Sequence, residues 1–433
     1  MTRPRWKSPS FLLCLALVAA GIALRVAWPG DMEWKSDEQY MWERYLGVGR
    51  DEPWPWLGIA SGVHVRNPGM SVWVFLLLGH LSRAETPVGL GMAVMAVNGL
   101  ALVALLALVL RHFRERHERQ VWVWGLALAA VNPILLHYHR KIWAQSVLPI
   151  FCVAWLWGFL GRRHLAGAFA LGLVGAWLGQ IHMSGFFYAL AMTLTLLLFD
   201  RKQVHWKAWL AGSVLGALTL LPWLEHLLHR APGGSPMVFG WNEALQLKAW
   251  VFLFTDSLGL SLGNSLGVRL GNGQLSQLQA FLREPLVAGS PTWLMAFAHG
   301  GILLSGALLL LRALPSLRSA LRPRGDTGLL LFSAAVLFPA LMTLSTIVVH
   351  RYYLLVTFPL DLVLLARLAL LPGERLGRRL LATLVVLQLA VSATFLWVIH
   401  REGGARDGDY GPSFRQQVLE RGASAWKQPP AAN

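Results

Sequence analysis

Two adjacent carboxylates, Asp37 and Glu38, follow the first long apolar stretch of the chain and are its strongest candidates for chemistry. They lie in the segment Ser36-Asp37-Glu38-Gln39-Tyr40, in which Ser36 and Gln39 have the spacing of a capping box, so a short helix is predicted to begin here. The helix dipole favours ionised carboxylates in a first turn. The pair is therefore either an ordinary solvated helix start or a general base or metal ligand at the mouth of a cavity.

Clusters of basic and histidine residues end three of the apolar stretches and form a second set of candidates. The clusters are His137-Tyr138-His139-Arg140-Lys141, Gln180-Ile181-His182 and His350-Arg351-Tyr352-Tyr353. All three fall on the predicted outer side of a membrane, where Lys and Arg are disfavoured in short turns. Either they bind an anionic group, such as the phosphate of a lipid carrier, or their side chains snorkel to lipid headgroups. Three clusters opposite one acidic segment favour a site.

A second helix start is predicted at His64-Val65-Arg66-Asn67-Pro68, with Asn67 as the N-cap and Pro68 at the first helical position. The apolar run from Met70 to Leu81 that follows is short for a membrane span and predicts a helix in the outer interface. We expect the cavity or the acceptor to be bordered by His64, Arg66, His182 and His350.

The sequence leaves a metal cofactor open. Asp37, Glu38 and His350 could together bind a divalent ion such as Mg, Mn or Zn, and His64 and His182 are further candidates. No ligand spacing in the chain is diagnostic of a metal site. No other cofactor is indicated.

The composition places these residues in a membrane protein. The chain has 433 residues, of which 55% are apolar and 14% are charged, whereas soluble domains carry roughly 25% charged residues. This deficit excludes a soluble globular enzyme and a disordered chain. The net charge of +16 could indicate nucleic acid binding, but the positions of the basic residues give it another explanation.

An all-α polytopic membrane protein with about eleven transmembrane helices is predicted from the apolar runs. The predicted spans are 9–28, 87–110, 121–137, 142–161, 165–182, 184–199, 208–225, 291–311, 328–349, 352–371 and 380–399. Alternate connections contain 19 of the 38 basic residues, which predicts that these connections and the N-terminus are cytoplasmic. The positive charge is therefore mainly a topology signal, and we expect no nucleic acid partner.

The predicted outer side holds two long loops, 29–86 and 226–290, within a transmembrane domain that covers 1–399, and a short tail over 400–433. The first loop contains eight of the 22 acidic residues, and six of the 21 tryptophans lie between positions 28 and 73. Because Trp prefers the membrane–water interface, this loop is predicted to lie at a membrane surface. The chain has no Asn-x-Ser/Thr acceptor site, which favours a bacterial inner (plasma) membrane.

Taken in chain order, four features resemble the GT-C superfamily of polytopic glycosyltransferases, in particular the branch of protein O-mannosyltransferases and aminoarabinose lipid A transferases. Asp37-Glu38 with Tyr40 resembles the acidic motif of the family's first outer loop. His64–Met70 stands where the family has a Pro-Pro-Leu-like helix start, although only Pro68 is kept. The last two features are the turn from Asn132-Pro133 to Gln145-Ser146 and the segment His350–Tyr353 with Pro359.

The resemblance, which covers about residues 9–370, implies a GT-C-like fold and a specific activity. The enzyme would be a hexosyl- or pentosyltransferase that moves a sugar from a polyprenyl-phosphate donor to a lipid, glycan or protein acceptor on the outer, periplasmic face, with inversion at the anomeric carbon. Asp37 would be the base, with Glu38 as its neighbour. The residues implied in binding the donor phosphate are His139, Arg140, Lys141, Arg351 and Tyr352.

Two other functions fit the composition. A transporter or flippase for a lipid-linked or anionic substrate would also be polytopic, but such proteins often have internal repeats and charged, broken helices at the bilayer midplane. The two halves of this chain show no clear repeat, and its charges gather at the outer rim. A structural assembly protein would leave the acidic loop and the outer cations without a purpose.

Overall fold

Helices form at the apolar runs of the sequence and make up most of the described chain. The computed structural model describes residues 9–61, 65–229, 247–262, 282–287, 289–406, 408–422 and 424–427. The predicted site residue His64 lies outside these described residues. Each of the eleven predicted spans coincides with one or more helical segments.

The α-helices follow one another along the chain as α1 (Pro9–Val26), α2 (Ser36–Gly47), α3 (Met70–Ser82), α4 (Pro87–His112), α5 (Arg116–Val131), α6 (Pro133–Tyr138), α7 (Leu148–Leu160), α8 (Leu165–Ile181), α9 (Ser184–Phe199), α10 (Trp206–Ala217), α11 (Leu221–Leu228), α12 (Lys248–Ser257), α13 (Trp293–Ala313), α14 (Leu317–Ala320), α15 (Gly325–Phe332), α16 (Phe338–Leu344), α17 (Leu360–Leu370), α18 (Glu374–Glu402), α19 (Phe414–Arg421) and α20 (Ser424–Lys427). A π-helical segment, Ser333–Leu337, joins α15 to α16. The 3-10 segments are Pro29–Asp31, Ala144–Val147, Arg201–Gln203, Leu218–Leu220, Leu260–Leu262, Leu314–Ser316 and Arg351–Thr357.

The protein is an all-α polytopic membrane protein. Within the described residues, five helical stretches are long and apolar enough to cross a membrane: Pro87–His112, Trp206–Leu228, Trp293–Ala320, Gly325–Leu344 and Glu374–Glu402. A sixth span results if Arg351–Thr357 and Leu360–Leu370, which bend by 77° at their junction, are counted together. Further apolar helices of 10–17 residues include Ala144–Leu160, Leu165–Ile181 and Ser184–Phe199. The count of eleven spans stays a prediction.

Close helix packing depends on small residues where backbones meet. Helix α8 packs against α7, α9 and α10. A Cβ atom on Gly172 of α8 would lie 2.1 Å from the carbonyl oxygen of Trp209, and one on Gly212 of α10 would lie 2.1 Å from that of Phe169. Glycine at both positions therefore allows α8 and α10 to approach, as small residues do in membrane bundles. Elsewhere α1 packs against α4 and α5, and α18 packs along α13 and α17.

Three short antiparallel strand pairs shape the loops near the candidate residues. In the first outer loop β1 (Leu57–Ala60) pairs with β2 (Arg66–Pro68), and in the second β3 (Leu286–Val287) pairs with β4 (Ser290–Pro291). After α18, β5 (Gly404–Ala405) pairs with β6 (Gly411–Pro412). This last hairpin turns the chain back so that α19 packs beside the start of the first outer loop.

Both predicted helix starts in the first loop are displaced. Helix α2 begins at Ser36, but the N-cap is Lys35 and the residue that reaches back is Glu38, whose Oε2 accepts from the Lys35 amide at 3.0 Å. The prediction of Ser36 and Gln39 as a capping box is therefore wrong. Asn67 and Pro68 belong to β2, and α3 begins at Met70 after the N-cap Gly69, because Asn67 Nδ2 donates to the Ile59 carbonyl across the strand pair.

Asn132 fixes the connection between α5 and α7, which carries the first basic cluster. Its Oδ1 accepts hydrogen bonds from the amides of Ile134 and Leu135, both at 3.0 Å, and so caps α6. Its Nδ2 donates to the carbonyls of Asp256 at 2.9 Å and Ser257 at 3.3 Å. One buried side chain thereby joins this connection to the second outer loop.

We expect Asn132→Ala to lower the thermal stability of the purified protein, because the lost cap alone costs about 0.5–2 kcal/mol. Asn132→Asp keeps the capping oxygen but places a buried carboxylate oxygen against the carbonyls of Asp256 and Ser257, so its loss should be at least as large. A melting curve in detergent for the three proteins measures both effects. Equal melting temperatures for Asn132→Ala and the wild-type protein would contradict the assigned role.

Candidate functional site

Two cavities meet beneath the first outer loop. The polar cavity, of about 320 Å³, is lined by Glu33, Lys35, Ser36, Asp37, Glu38, Ile134, His137, Tyr138, Lys141, Trp143, His350, Arg351, Tyr352 and Asp409. The aromatic cavity, of about 290 Å³, is lined by Asp37, Ile59, Ala60, Ser61, Val65, Asn67, Trp143, Ala144, Gln145, His182, Met183, Ser184, Phe186, Phe187, Trp223, Leu227, Met342, Ile347, Tyr352 and Tyr353. The structure thus brings together, in one place, the acidic loop and parts of all three basic clusters.

Asp37, Trp143 and Tyr352 line both cavities. The carboxylate of Asp37 is held there by one contact, because its Oδ2 accepts a hydrogen bond from Trp143 Nε1 at 2.8 Å. The Trp143 and Tyr352 rings meet edge to face with their centroids 4.7 Å apart. Asp37 makes no ion pair with a described residue. Because it lines both cavities, its carboxylate lies at the boundary between them.

The two cavities differ in charge. The polar cavity is bordered by four carboxylates and three cations, the latter being Lys35, Lys141 and Arg351. Among the described residues that line the aromatic cavity, Asp37 alone carries a formal charge at neutral pH when His182 is neutral. A polar molecule therefore suits the first space, and an uncharged, largely apolar one suits the second.

A buried cluster of ions supports the start of α2. Lys141 Nζ lies 3.0 Å from Glu33 Oε2 and 3.6 Å from Glu38 Oε1. Glu33 Oε1 also pairs with Lys35 Nζ at 2.5 Å, and His137 Nε2 lies 3.6 Å from Glu33 Oε2. Both carboxylates are 1% exposed, so their charges are stable only because these partners are present. The cluster joins the first loop to the connection after α6 and sets the position of the next residue along, Asp37.

The ionisation of the cluster is uneven. Burial raises the pKa of Glu38 to about 7, because the Lys141 ammonium only partly offsets it and the Glu33 carboxylate adds to it. Burial alone would raise the pKa of Glu33 as well, but Lys141, His137 and Lys35 together lower it below its usual value. For Lys141, the two carboxylates outweigh burial and raise the pKa of the ammonium. Glu33 and Lys141 thus form the permanently charged pair.

Arg351 borders the polar cavity from the other side. It enters from the segment before α17, and its Nη1 pairs with Asp256 Oδ1 of the second outer loop at 2.5 Å. The guanidinium also lies over the Phe252 ring, 5.0 Å from its centroid. Helix α12 therefore holds Arg351 by an ion pair and an aromatic face. Asp256, Arg351 and Asp361 also line a small adjoining cavity.

Aromatic and imidazole rings form the wall around Tyr352. The His350 ring stacks on the Tyr352 ring at a centroid distance of 5.3 Å, and His182 lies 5.0 Å from the Tyr353 ring. His182 Nδ1 is also 2.7 Å from Ser184 Oγ. The predicted cavity residues His182 and His350 line different cavities: His182 lines the aromatic cavity and His350 lines the polar one.

The prediction that Arg140 and His139 bind a phosphate does not agree with their surroundings. Arg140 is buried, and its guanidinium donates to the carbonyls of Leu24, Arg25, Ala27 and Trp28 at 2.6–3.1 Å. It therefore satisfies the C-terminal end of α1, which would otherwise leave those carbonyls unpaired. His139 Nδ1 accepts from Arg25 Nε at 3.0 Å, and neither residue lines the two cavities.

Arg66 differs from expectation, and the metal ligands that the sequence left open are not grouped among the described residues. Arg66 is exposed, its Nε donates to the Gly58 carbonyl at 3.1 Å, and it lines neither cavity. No group of three or more His, Cys, Asp or Glu side chains that could hold a metal occurs among the described residues. Asp37, Glu38 and His350 therefore do not fit an ion as placed, since Lys141 already lies against Glu38.

Five residues of the site have no motif that marks them in the sequence. Trp143 and Asp256 act only through contacts across the fold, with Asp37 and Arg351. Lys35 and Glu33 lie close to Asp37 in the chain, where an alternation of acidic and basic residues is the only trace of the ion cluster. Asp409 reaches the polar cavity from the segment that follows α18, called here the C-terminal segment, where the sequence predicts no site residue.

Comparison with known proteins finds similarity among solved structures. No protein-family model and no curated protein matches the chain. The chain is similar in structure to the Archaeoglobus fulgidus oligosaccharyltransferase in its apo form, with 14% identity and a TM-score of 0.47. It is similar also to that oligosaccharyltransferase tethered by a disulfide bond to an acceptor peptide with the NVT sequon, with 12% identity and a TM-score of 0.46.

These matches cover 98% and 99% of this chain and 60% of the oligosaccharyltransferase chain in each case. This chain therefore spans less than two thirds of the length of that protein. At this identity and TM-score, the likeness does not by itself assign an activity.

We expect Lys141→Met to destabilise the fold by about 3–5 kcal/mol, because it leaves the buried Glu38 without its cation and Glu33 with Lys35 as its remaining ammonium partner. The pKa of Glu38 should then lie further above its unfolded value, because Lys141 is the ammonium that lowers it, and protonation should therefore favour the folded variant. The loss should be largest at pH 8 and shrink as the pH falls toward 5. Melting temperatures at the two pH values measure this.

Lys35→Met is the matched control. This variant removes the other cation that pairs with Glu33. Because Lys35 is more exposed than Lys141, the loss of stability should be smaller. A Lys141→Met deficit that does not change with pH would contradict the assigned pairing.

Proposed function

We propose that this protein is an integral membrane glycosyltransferase of the GT-C type. It transfers a sugar from a polyprenyl-phosphate donor to a lipid, glycan or protein acceptor, with inversion and with Asp37 as the base. The observation that carries the proposal is the position of the Asp37 carboxylate, which borders both the polar and the aromatic cavity. The order of the motifs along the chain, which resembles that superfamily, supports the same assignment.

The two cavities match the two ends of such a donor. A polyprenyl chain is uncharged and apolar, as is most of the aromatic cavity, which takes residues from α9, α11 and α16. Sugar hydroxyls are recognised by carboxylates and amides, and the polar cavity is bordered by four carboxylates. The reacting bond, between the sugar and the phosphate, then lies at the shared wall beside Asp37.

The chemistry requires one base and one stabilised leaving group. The acceptor hydroxyl attacks the anomeric carbon while Asp37 takes its proton, and the bond from that carbon to the phosphate oxygen breaks, with the electron pair leaving on the phosphate. The indole N–H of Trp143 fixes one oxygen of Asp37 and leaves the other for this proton. A single displacement of this kind inverts the configuration at carbon.

Arg351, with Tyr352, is the donor-binding group in this scheme. A guanidinium holds a phosphate through paired N–H donors and stabilises its growing charge. Lys141 keeps its place at the cavity, but its ammonium neutralises Glu33 and Glu38, and we assign it to positioning Asp37. No step of this scheme passes through a metal ion.

The protein would work at the outer face of a bacterial inner membrane. Eleven spans and a cytoplasmic N-terminus put both long loops, the polar cavity and the C-terminal segment on the periplasmic side. The basic connections on the opposite side agree with this orientation. The participating partners are then the lipid-linked donor, the acceptor and the surrounding membrane lipids.

We expect Asp37→Asn to lower sugar transfer by about 10²–10⁴-fold, the range that a general base contributes, while the abundance and melting temperature of the protein stay unchanged. The test measures transfer from radiolabelled polyprenyl-phosphate sugars to membrane lipids in vesicles that contain the purified protein. Asp51→Asn, an exposed acid of the same loop, is the control and should keep full activity. Full activity in Asp37→Asn would exclude Asp37 as the base.

Arg351→Ala should raise the KM for the donor more than the KM for the acceptor, because only the donor carries the phosphate. Arg351→Lys should recover part of the effect, since an ammonium keeps the charge but not the paired geometry. Initial rates with each substrate varied in turn give both constants. Equal changes in the two KM values would argue against phosphate binding.

The same vesicles test the transporter alternative. A flippase would move a fluorescent polyprenyl phosphate between leaflets and transfer no sugar. Movement without transfer in the wild-type protein would replace the glycosyltransferase assignment by the transporter one.

A further inference from the structure

The C-terminal segment is bound to the beginning of the first outer loop by a continuous set of contacts. Ser413 pairs with Glu33 in a β-bridge, and the Phe414 amide donates to the Met32 carbonyl at 2.9 Å. Gln417 Nε2 donates to the Trp34 carbonyl at 2.8 Å. The Trp34 and Phe414 rings also meet edge to face at 5.1 Å.

Asp31 is the charged centre of this contact. Its side chain is 2% exposed, its Oδ1 accepts from Arg415 Nε at 2.6 Å, and its Oδ2 lies 2.6 Å from His400 Nδ1. The Tyr410 hydroxyl donates to the carbonyl of the same residue. A buried carboxylate bound from two different parts of the C-terminal region fixes their relative position, because removing either partner leaves it poorly compensated.

The contacts of the C-terminal segment extend along the chain to Lys35, two residues before the proposed base Asp37. Residues 31–34 lead directly into Lys35, the N-cap of α2, and Asp37 lies in the first turn of that helix. Lys35 Nζ also contacts Asp409, whose carboxylate is 3.5 Å away and lines the polar cavity. The segment therefore contacts every residue from 31 to 35. Its effect on Asp37 is indirect and passes through the first turn of α2.

We propose that residues 404–406 and 408–421 form part of the site, in which Arg415 and Asp31 are positioning residues that hold the N-terminal turn of α2, and hence Asp37, against Trp143. The role of Asp37 in transfer rests on the proposed function, whereas the positioning of the loop does not. An alternative is that the segment only covers the outside of the bundle. In that case its loss would loosen the segment alone and leave the loop unchanged.

Hydrogen exchange of the full-length protein in nanodiscs distinguishes these alternatives. Arg415→Ala should speed amide exchange in residues 31–41 by about tenfold, because a charge-assisted hydrogen bond is lost there. Arg406→Ala is the matched control, since Arg406 pairs with Glu420 within the segment itself. It should leave exchange in the loop unchanged, and Arg415→Lys should restore part of the protection.

Kinetic constants provide a second measurement, because they would not change if the segment only covered the outside of the bundle. Arg415→Ala should lower kcat for sugar transfer with the donor KM nearly unchanged, whereas Arg406→Ala should change neither. Faster exchange confined to residues 404–421, with the loop protected as in the wild-type protein, would overturn the inference. If the wild-type protein transfers no sugar, the proposed function fails, and the exchange result still decides whether the segment positions the loop.

Discussion

The ion pair between Lys141 and the buried carboxylates Glu33 and Glu38 is the interaction on which the site depends. Glu33 lies in the loop after α1, Glu38 lies in the first turn of α2, and Lys141 lies in the connection after α6. One ammonium group thus joins the first outer loop to the connection after α6. Neither carboxylate is accessible to water, so both need the ammonium as a partner. Asp37 lies between Glu33 and Glu38 in the sequence, and its position therefore depends on these two ion pairs.

The rest of the architecture supplies walls around that point. Helices α9, α11 and α16 bring apolar and aromatic side chains to one side of Asp37. The segment before α17, braced by Asp256 of α12, brings Arg351 to the other side. The C-terminal segment contributes Asp409 to the lining of the polar cavity. In the proposed function, a carboxylate between an apolar space and a charged one suits a lipid-linked donor, because the phosphate of such a donor joins an apolar chain to a polar sugar.

Local signals in the sequence predicted the helices and the candidate carboxylates. Apolar runs long enough to span a membrane need no tertiary information, and the Asp37-Glu38 pair stands out because acidic residues are scarce in this chain. The clusters around Lys141, His182 and Arg351 were predicted to face the acidic loop, and these three residues do border the cavities beneath it.

Contacts across the fold were not predictable in the same way. Arg140 and Lys141 are neighbours of the same type in the sequence, yet one caps α1 and the other pairs with the acidic loop. Their opposite directions depend on how the connection after α6 turns, which Asn132 sets through the second outer loop. The role of the C-terminal segment was missed for a similar reason, because Arg415 and Asp31 are 384 residues apart and neither belongs to a local motif.

The most direct test of the account is a structure of the protein in nanodiscs with a polyprenyl-phosphate sugar bound to the Asp37→Asn variant. The account predicts density for the lipid chain in the aromatic cavity, the phosphate beside Arg351 and the anomeric carbon next to residue 37. Donor density away from both cavities, or with its phosphate remote from Arg351, would contradict it.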